Sequence, residues 1–260
     1  MNALTKIQAV EILTLVSDFV ISSYGGGTNS TALLIECVKR GIRIDMILFA
    51  DTGAEKPHTY SYVKYFSEWL VSKGYPAIRV VKAPNKTLEQ DCLDRKALPS
   101  IAYGFKTCSQ RFKVQPQDKF VNNSVVVGGR LVKLIGFDAD EPQRANKAYD
   151  DKYTRIYPLI DWDMGRDECI QSIKDEGLAL PGKSACYFCP NSKVSEIKWL
   201  EQAHPDLLQK ALEMEDQAEL TNIAGLGRNF SWKSIYQQQD AFMDHFVPDV
   251  PCDCYDGGAA

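Results

Sequence analysis

The sequence predicts an α/β fold: an open, mostly parallel five-stranded sheet with helices on both faces, followed by a C-terminal helical, cysteine-bearing appendage. Three observations predict it. Short apolar runs alternate with longer helix-patterned segments, as βαβ units require. The first apolar run, Phe19-Val20-Ile21, opens through Gly25-Gly26-Gly27 directly into a helix-like stretch. Beyond residue 180 the chain changes character, with a Pro-Gly break, Cys186-x-x-Cys189 and long helical patterning. The expected division is 1–180 and 181–260.

Taken in order, Phe19–Ile21 is the first strand and Ser30–Arg40 the first helix, which Gly41 closes as the residue after its C-cap. Ile44–Ala50 reads as a second strand ending in Asp51-Thr52-Gly53, and Lys56–Ser72 as a helix closed near Gly74. Ala77–Lys82 is a third strand. Residues 87–122 are irregular and charged, with helix from about Gln110 that Pro116 breaks. Leu131–Phe137 is a fourth strand, delivering Asp138, Asp140, Glu141 and Arg144 at its carboxyl end. Long helical patterning runs over Val194–Leu220. Near the N-terminus, Leu4, Ile7, Val10, Leu13 and Val16 fit one face of a helix.

The glycine run is a phosphate cradle by its chemistry. Glycines let backbone N–H groups turn inward, and the first turn of the next helix adds unpaired donors and the positive end of its dipole. It is not a P-loop, having no Lys after the glycines, and Ser30 stands where a dinucleotide fingerprint needs its third glycine. In open α/β sheets ligands lie outside the carboxyl ends of the strands, so Gly25–Ser30, Asp51–Glu55 and Gly136–Arg144 are expected to converge.

Composition sets the outer limits. With 260 residues, 45% hydrophobic and 25% charged, the chain has the make-up of an ordinary globular protein. A net charge of -4 gives no global reason for nucleic-acid or membrane binding, although a local basic groove is compatible with it. No stretch reaches the roughly 18 apolar residues of a membrane span, and Lys6 and Glu11 interrupt any secretory signal, so a cytoplasmic location without membrane contact is expected.

The eight cysteines then read as reduced thiols, a metal site or redox chemistry rather than disulfides. Cys186 and Cys189, with Cys108 upstream and Cys252 or Cys254 downstream, can supply four thiolates, which suit an iron–sulfur cluster or tetrahedral zinc. If Cys252 is the fourth ligand, Cys254 is left to act as a nucleophilic thiolate; the alternative is a ligand pair with no nucleophile. Cys37 reads as core, and Cys92 and Cys169 have no partner spacing. Lys106, Arg111, Lys113 and Lys119 form either a solvated helix face or a strip for a phosphate or nucleic-acid backbone.

Six segments, in this order, resemble the phosphoadenosine phosphosulfate (PAPS) reductase family of the PP-loop, adenine nucleotide α-hydrolase superfamily. They are Ser23-Tyr-Gly-Gly-Gly-Thr-Asn-Ser30-Thr, Asp51-Thr-Gly-Ala-Glu55-Lys-Pro-His-Thr-Tyr60, Cys108-Ser-Gln-Arg111-Phe-Lys113-Val-Gln-Pro116, Gly136-Phe-Asp138-Ala-Asp-Glu141-Pro-Gln-Arg144, Pro158-Leu-Ile-Asp161-Trp162 and Lys183-Ser-Ala-Cys186-Tyr-Phe-Cys189-Pro190. The resemblance implies an adenine nucleotide-binding α/β fold. It implies that Ser23, Gly25, Gly26, Gly27, Asn29 and Ser30 hold nucleotide phosphates, that Asp51 and Thr52 lie by the nucleoside, and that Gly136, Asp138 and Glu141 complete the nucleotide site. Arg111, Lys113 and Arg144 would steady the anionic end, and Cys108, Cys186, Cys189 and Cys252 would hold a 4Fe-4S cluster, with zinc the alternative.

Two positions depart from the pattern. Asn29 stands where many PP-loops have Asp, which weakens magnesium recruitment. The tail offers Asp253-Cys254-Tyr255-Asp256 in place of Glu-Cys-Gly-x-His. Three functions follow as expectations. The first is sulfonucleotide reduction of PAPS or APS by Cys254 with a thioredoxin-like reductant. The second is AMP-forming cleavage of ATP that activates a nucleic-acid or small acceptor for thiolation. The third is a nucleotide- or nucleic-acid-binding module without turnover.

Overall fold

The computed structural model describes residues 18–125, 129–146, 152–227 and 229–237. They fall into two compact units: one from the described parts of residues 1–50, 57–81 and 117–184, the other from 51–56, 82–116 and the described part of 185–260.

The first unit is built on a five-stranded sheet, as expected. Its strands are β1 (Phe19–Tyr24), β2 (Met46–Asp51), β3 (Ile78–Lys82), β4 (Leu131–Leu134) and β5 (Tyr153–Ile156), in the spatial order β3-β2-β1-β4-β5. Strand β1 pairs in parallel with β2 and β4, and β4 in parallel with β5. A parallel sheet is covered on both faces, and alternation along each strand sorts the side chains. Val20 and Tyr24 of β1, Ile47 and Phe49 of β2, and Val132 and Leu134 of β4 enter one core. Leu33, Phe66 and Ile173 meet them there, from the helices Thr28–Lys39, Pro57–Ser72 and Arg166–Asp175. Ile21, Leu48, Ala50 and Tyr153 point the other way and pack with Phe120 and Val121 of the helix Gln115–Ser124. Each fully buried Leu or Phe contributes about 1.5–3 kcal/mol.

The helix Thr28–Lys39 ends as the sequence predicts. Gly41 adopts φ +65°, its N–H bonds Val38 O and the Ile42 N–H bonds Cys37 O. This is the paired bonding of a Schellman motif, and its left-handed residue favours glycine.

The second unit contains the helices Leu88–Asp94, Val194–Ala203, Pro205–Gln217 and Trp232–Gln237 around one apolar cluster that includes Phe112, Phe188, Leu200, Leu208 and Trp232. One expectation is refined here and one corrected. The helical patterning over Val194–Leu220 is realised as two helices, because Pro205 has no N–H to donate and forces His204 out of helical geometry, to φ -149° and ψ 66°. Nor does Pro116 break the helix begun at Thr107. The turn over Gln110–Val114 widens to π-type spacing, with Gln115 N–H bonding Gln110 O, and the α-helix continues from Gln115. The expected N-terminal helix, Cys252 and Cys254 lie outside the described residues. Among the described residues no helix is long and apolar enough to cross a membrane.

Candidate functional site

In the first unit the glycine loop and the loop after β4 meet. Gly136 lies so close to the first turn of the Thr28–Lys39 helix that a Cβ there would come within 3.0 Å of Ser30 Cα and 3.1 Å of Ser30 N. Gly26 holds φ +76°, and a Cβ would meet Ser184 Oγ, Thr59 Cγ2 and Phe49 Cε2 at 3.2–3.3 Å. The glycine loop thus needs glycine at 26 for its conformation, and the loop after β4 needs it at 136 for close approach. Gly27 is the N-cap, and no side chain caps the helix, which leaves first-turn amides for an anion.

The loop's own polar groups are largely committed. Ser30 Oγ accepts from Gly25 N at 3.2 Å and donates to Gly27 O at 3.1 Å, so its hydroxyl shapes the loop. Ser184 Oγ donates to Gly25 O at 2.6 Å. Ser23 is buried and its hydroxyl donates to Gln117 Oε1 at 3.0 Å, which ties the end of β1 to the Gln115–Ser124 helix. Asn29 Nδ2 donates to Asp138 Oδ2 at 2.6 Å, and Arg166 Nη1 donates to Asn29 Oδ1 at 2.8 Å. Asp138 is 4% exposed, and its other oxygen, Oδ1, has no hydrogen-bond partner among the described residues. Glu141 Oε2 accepts from Arg144 Nη1 at 2.7 Å, and the Arg144 guanidinium lies 4.1 Å over the Phe137 ring. Arg166 and Ser184 escaped sequence reasoning. Arg166 opens a helix far down the chain, and only its tertiary bond to Asn29 marks it.

The rest of the expected site belongs to the second unit. Asp51 Oδ1 accepts from Gly53 N at 2.7 Å and Oδ2 pairs with Lys82 at 2.9 Å, so this carboxylate builds the turn after β2. Arg111 donates through both terminal nitrogens to Asp91, which also receives Lys86 and Arg95. Burial alone would raise the Asp91 carboxyl, but Lys86, Arg95 and Arg111 outweigh it and hold its pKa below the usual carboxylate range. Lys113 is buried beside Glu55, Nζ to Oε1 at 3.1 Å, which excludes it from a solvated helix face.

Cys108, Cys186 and Cys189 line one cavity, together with Thr52, Ser109 and Lys113; its other walls are apolar. Cys186 and Cys189 are held by a turn, Cys189 N to Cys186 O at 3.0 Å. The turn is zipped to Asp51–Lys56 through Tyr187 N to Ala54 O at 2.9 Å, and the residue before it through Lys56 N to Ala185 O at 3.4 Å. Thr52 Oγ1 lies 3.2 Å from Cys186 Sγ and 3.2 Å from Glu55 Oε1. Cys92 is a core thiol that burial pushes up to about 12, and Cys169 likewise. Cys37 is fully buried as expected.

Among the described residues, no three His, Cys, Asp or Glu side chains gather closely enough to hold one metal ion. Zinc needs its ligands drawn into one tetrahedron, whereas an iron–sulfur cluster spreads them over several irons. Three soft donors around a largely apolar cavity therefore fit a cluster better than a single zinc ion.

No family model matches the chain. No curated protein matches it. Among solved structures it is similar to U34-tRNA thiolase NcsA from Methanococcus maripaludis with its [4Fe-4S] cluster, at 14% identity and a TM-score of 0.49, over 93% of this chain and 88% of that chain. That likeness is too distant to assign any residue a role.

Proposed function

We propose that the chain is an enzyme of sulfur chemistry that binds an adenine nucleotide through the Gly25–Ser30 loop and holds a 4Fe-4S cluster on Cys108, Cys186 and Cys189. The observation that carries this reading is the assembly of three thiols, from two distant stretches of sequence, on one cavity. The glycine loop supports it independently, since its first-turn amides carry no side-chain cap and suit phosphate oxygens. Bound there, the cluster supplies electron transfer or a site for sulfur. Magnesium, if used, would arrive with the phosphates, and Asp138, bonded to Asn29 at the start of the following helix, is a carboxylate placed to meet it.

The nearest named activity is reduction of PAPS or APS. The Cys254 thiolate attacks the sulfonate sulfur, the S–O bond breaks, and the adenosine phosphate leaves. An external dithiol of thioredoxin type then releases sulfite from the enzyme thiosulfonate and is itself oxidised to a disulfide. A second reading has a specific observation in its favour: Cys108, Cys186 and Cys189 reach one cavity without the tail, and Arg111 is held by Asp91. In that reading an acceptor oxygen, on a nucleic acid or small molecule, attacks the α-phosphorus of ATP. Pyrophosphate leaves, and a sulfur nucleophile then displaces AMP.

Anaerobic incubation separates the two. Sulfite from PAPS or APS with a dithiol supports reduction; pyrophosphate and AMP from ATP with an acceptor support thiolation. Nucleotide bound without turnover of any of the three would overturn both and leave a binding module. Broad absorption near ~400 nm and stoichiometric iron test the cluster; colourless protein holding zinc removes it.

A further inference from the structure

One hydroxyl in the second unit touches a proposed cluster ligand. Thr52 is 2% exposed, and its Oγ1 lies 3.2 Å from Cys186 Sγ and 3.2 Å from Glu55 Oε1. Lys113 Nζ meets the same Glu55 oxygen at 3.1 Å. The backbone fixes this hydroxyl. Glu55 and Cys186 form an antiparallel bridge, Tyr187 N bonds Ala54 O, and Thr52 O accepts from Leu88 N at 3.0 Å.

We infer that Thr52 raises the reduction potential of the cluster by donating its hydroxyl hydrogen to the Cys186 sulfur, with the Lys113–Glu55 pair freeing that hydrogen. This rests on the reading of Cys186 as a cluster ligand and deepens it. The argument is a count of protons. A free Cys186 thiol has a hydrogen to give, to Thr52 Oγ1 at 3.2 Å or to Glu55 Oε1 at 4.0 Å, and Thr52 can then donate to Glu55. A metal-bound thiolate has no hydrogen to give, so the only hydrogen left in the contact is that of Thr52, with two acceptors competing for it. The Lys113 ammonium already meets Glu55 Oε1 at 3.1 Å, and a buried anionic sulfur is stabilised by a hydroxyl donor in reach. The hydroxyl therefore turns to sulfur. A donor to a ligand sulfur stabilises the more negative, reduced cluster, and hydrogen bonds of this kind are among the levers that set iron–sulfur potentials.

The test uses the full chain, reconstituted anaerobically with iron and sulfide, and the variants Thr52→Val and Thr52→Ser. Valine keeps the side-chain shape and removes the donor; serine keeps the donor. Potentiometric titration with dithionite, followed in the visible band, is expected to place Thr52→Val at a more negative potential than the parent, with Thr52→Ser restored close to it at equal iron content. Equal potentials for Thr52→Val and the parent would overturn the inference. So would a serine variant shifted as far as valine, or a folded valine variant that takes up no iron. If the parent itself takes up no iron, the cluster reading fails first, and metal analysis before any titration reveals it.

Discussion

Asn29 and Asp138 are joined side chain to side chain at 2.6 Å, and the far end of the same amide receives Arg166 at 2.8 Å. A neutral residue thus links a buried carboxylate to an exposed guanidinium at the first turn of the helix that follows the glycines. Aspartate at 29 would set two carboxylates face to face and shift Arg166 from an amide to a charge. Asn29→Asp is expected to cost about 1–3 kcal/mol in urea unfolding, the range for losing a hydrogen bond to a charged partner. Adding Arg166→Ala should hurt this variant more than it hurts the parent, because the guanidinium then has charge to neutralise. Strict additivity of the two substitutions would show that Arg166 does not work through position 29.

Gly136 is held by backbone rather than by flexible side chains. An alanine Cβ would come 3.0 Å from Ser30 Cα, 3.1 Å from Ser30 N and 3.2 Å from the Asn29 carbonyl carbon. The clash can be relieved only by moving the loop after β4 away from the helix start. Gly136→Ala should therefore destabilise by about 1–3 kcal/mol, as overpacking does. It should also weaken nucleotide affinity more than a loss of stability alone explains. Calorimetric titration of the folded variant with PAPS and ATP checks this; parental affinity would detach Gly136 from the site.

The glycine loop and four strands were legible because each has a local cause. Alternating apolar residues must face two covered sides of a sheet, and three glycines between a strand and a helix leave few other uses. Strand β5 escaped placement because Tyr153-Thr154-Arg155-Ile156 is only four residues long and mixes exposed with buried positions. The widened turn before Pro116 and the break at His204 are local too. They show proline acting in opposite ways, tolerated where the preceding turn loosens and disruptive where it does not. Site partners were the least legible. The resemblance implies that Arg111 and Lys113 steady an anion, and Asp91 and Glu55, distant in sequence, engage them. Which carboxylate meets which cation is a property of packing, and no spacing rule encodes it.

Glu215 shows the same principle in the cysteine-bearing unit. Its carboxylate is 5% exposed and accepts from the backbone amides of Leu226, Trp232 and Lys233 and from the Ser231 hydroxyl. It thereby caps the Trp232–Gln237 helix from a different helix. Glu215→Gln turns one acceptor into a donor aimed at donors, leaving buried amides unpaired. A loss of about 2–4 kcal/mol is expected, summed over the broken bonds. A parental urea midpoint with Gln at 215 would mean that the cap contributes nothing.

Asp91 makes the clearest pH prediction. The carboxyl is 1% exposed and its pKa in the folded chain lies below the unfolded value, because Lys86, Arg95 and Arg111 outweigh the cost of burial. A depressed carboxyl stabilises the fold above its unfolded pKa, near 3.9 in model peptides, and that contribution disappears as pH falls through the lower, folded value. Asp91→Asn should therefore cost most at neutral pH, about 1–3 kcal/mol, less than for a fully buried pair because the three cations are partly exposed to solvent. The difference between parent and variant should stay constant down to about pH 5 and narrow only below about pH 4. Urea unfolding of both chains at pH 7, 5, 4 and 3 measures this. A gap that persists unchanged at pH 3 would mean that Asp91 stabilises by packing rather than by charge, and that Arg111 is not held by its ionised form.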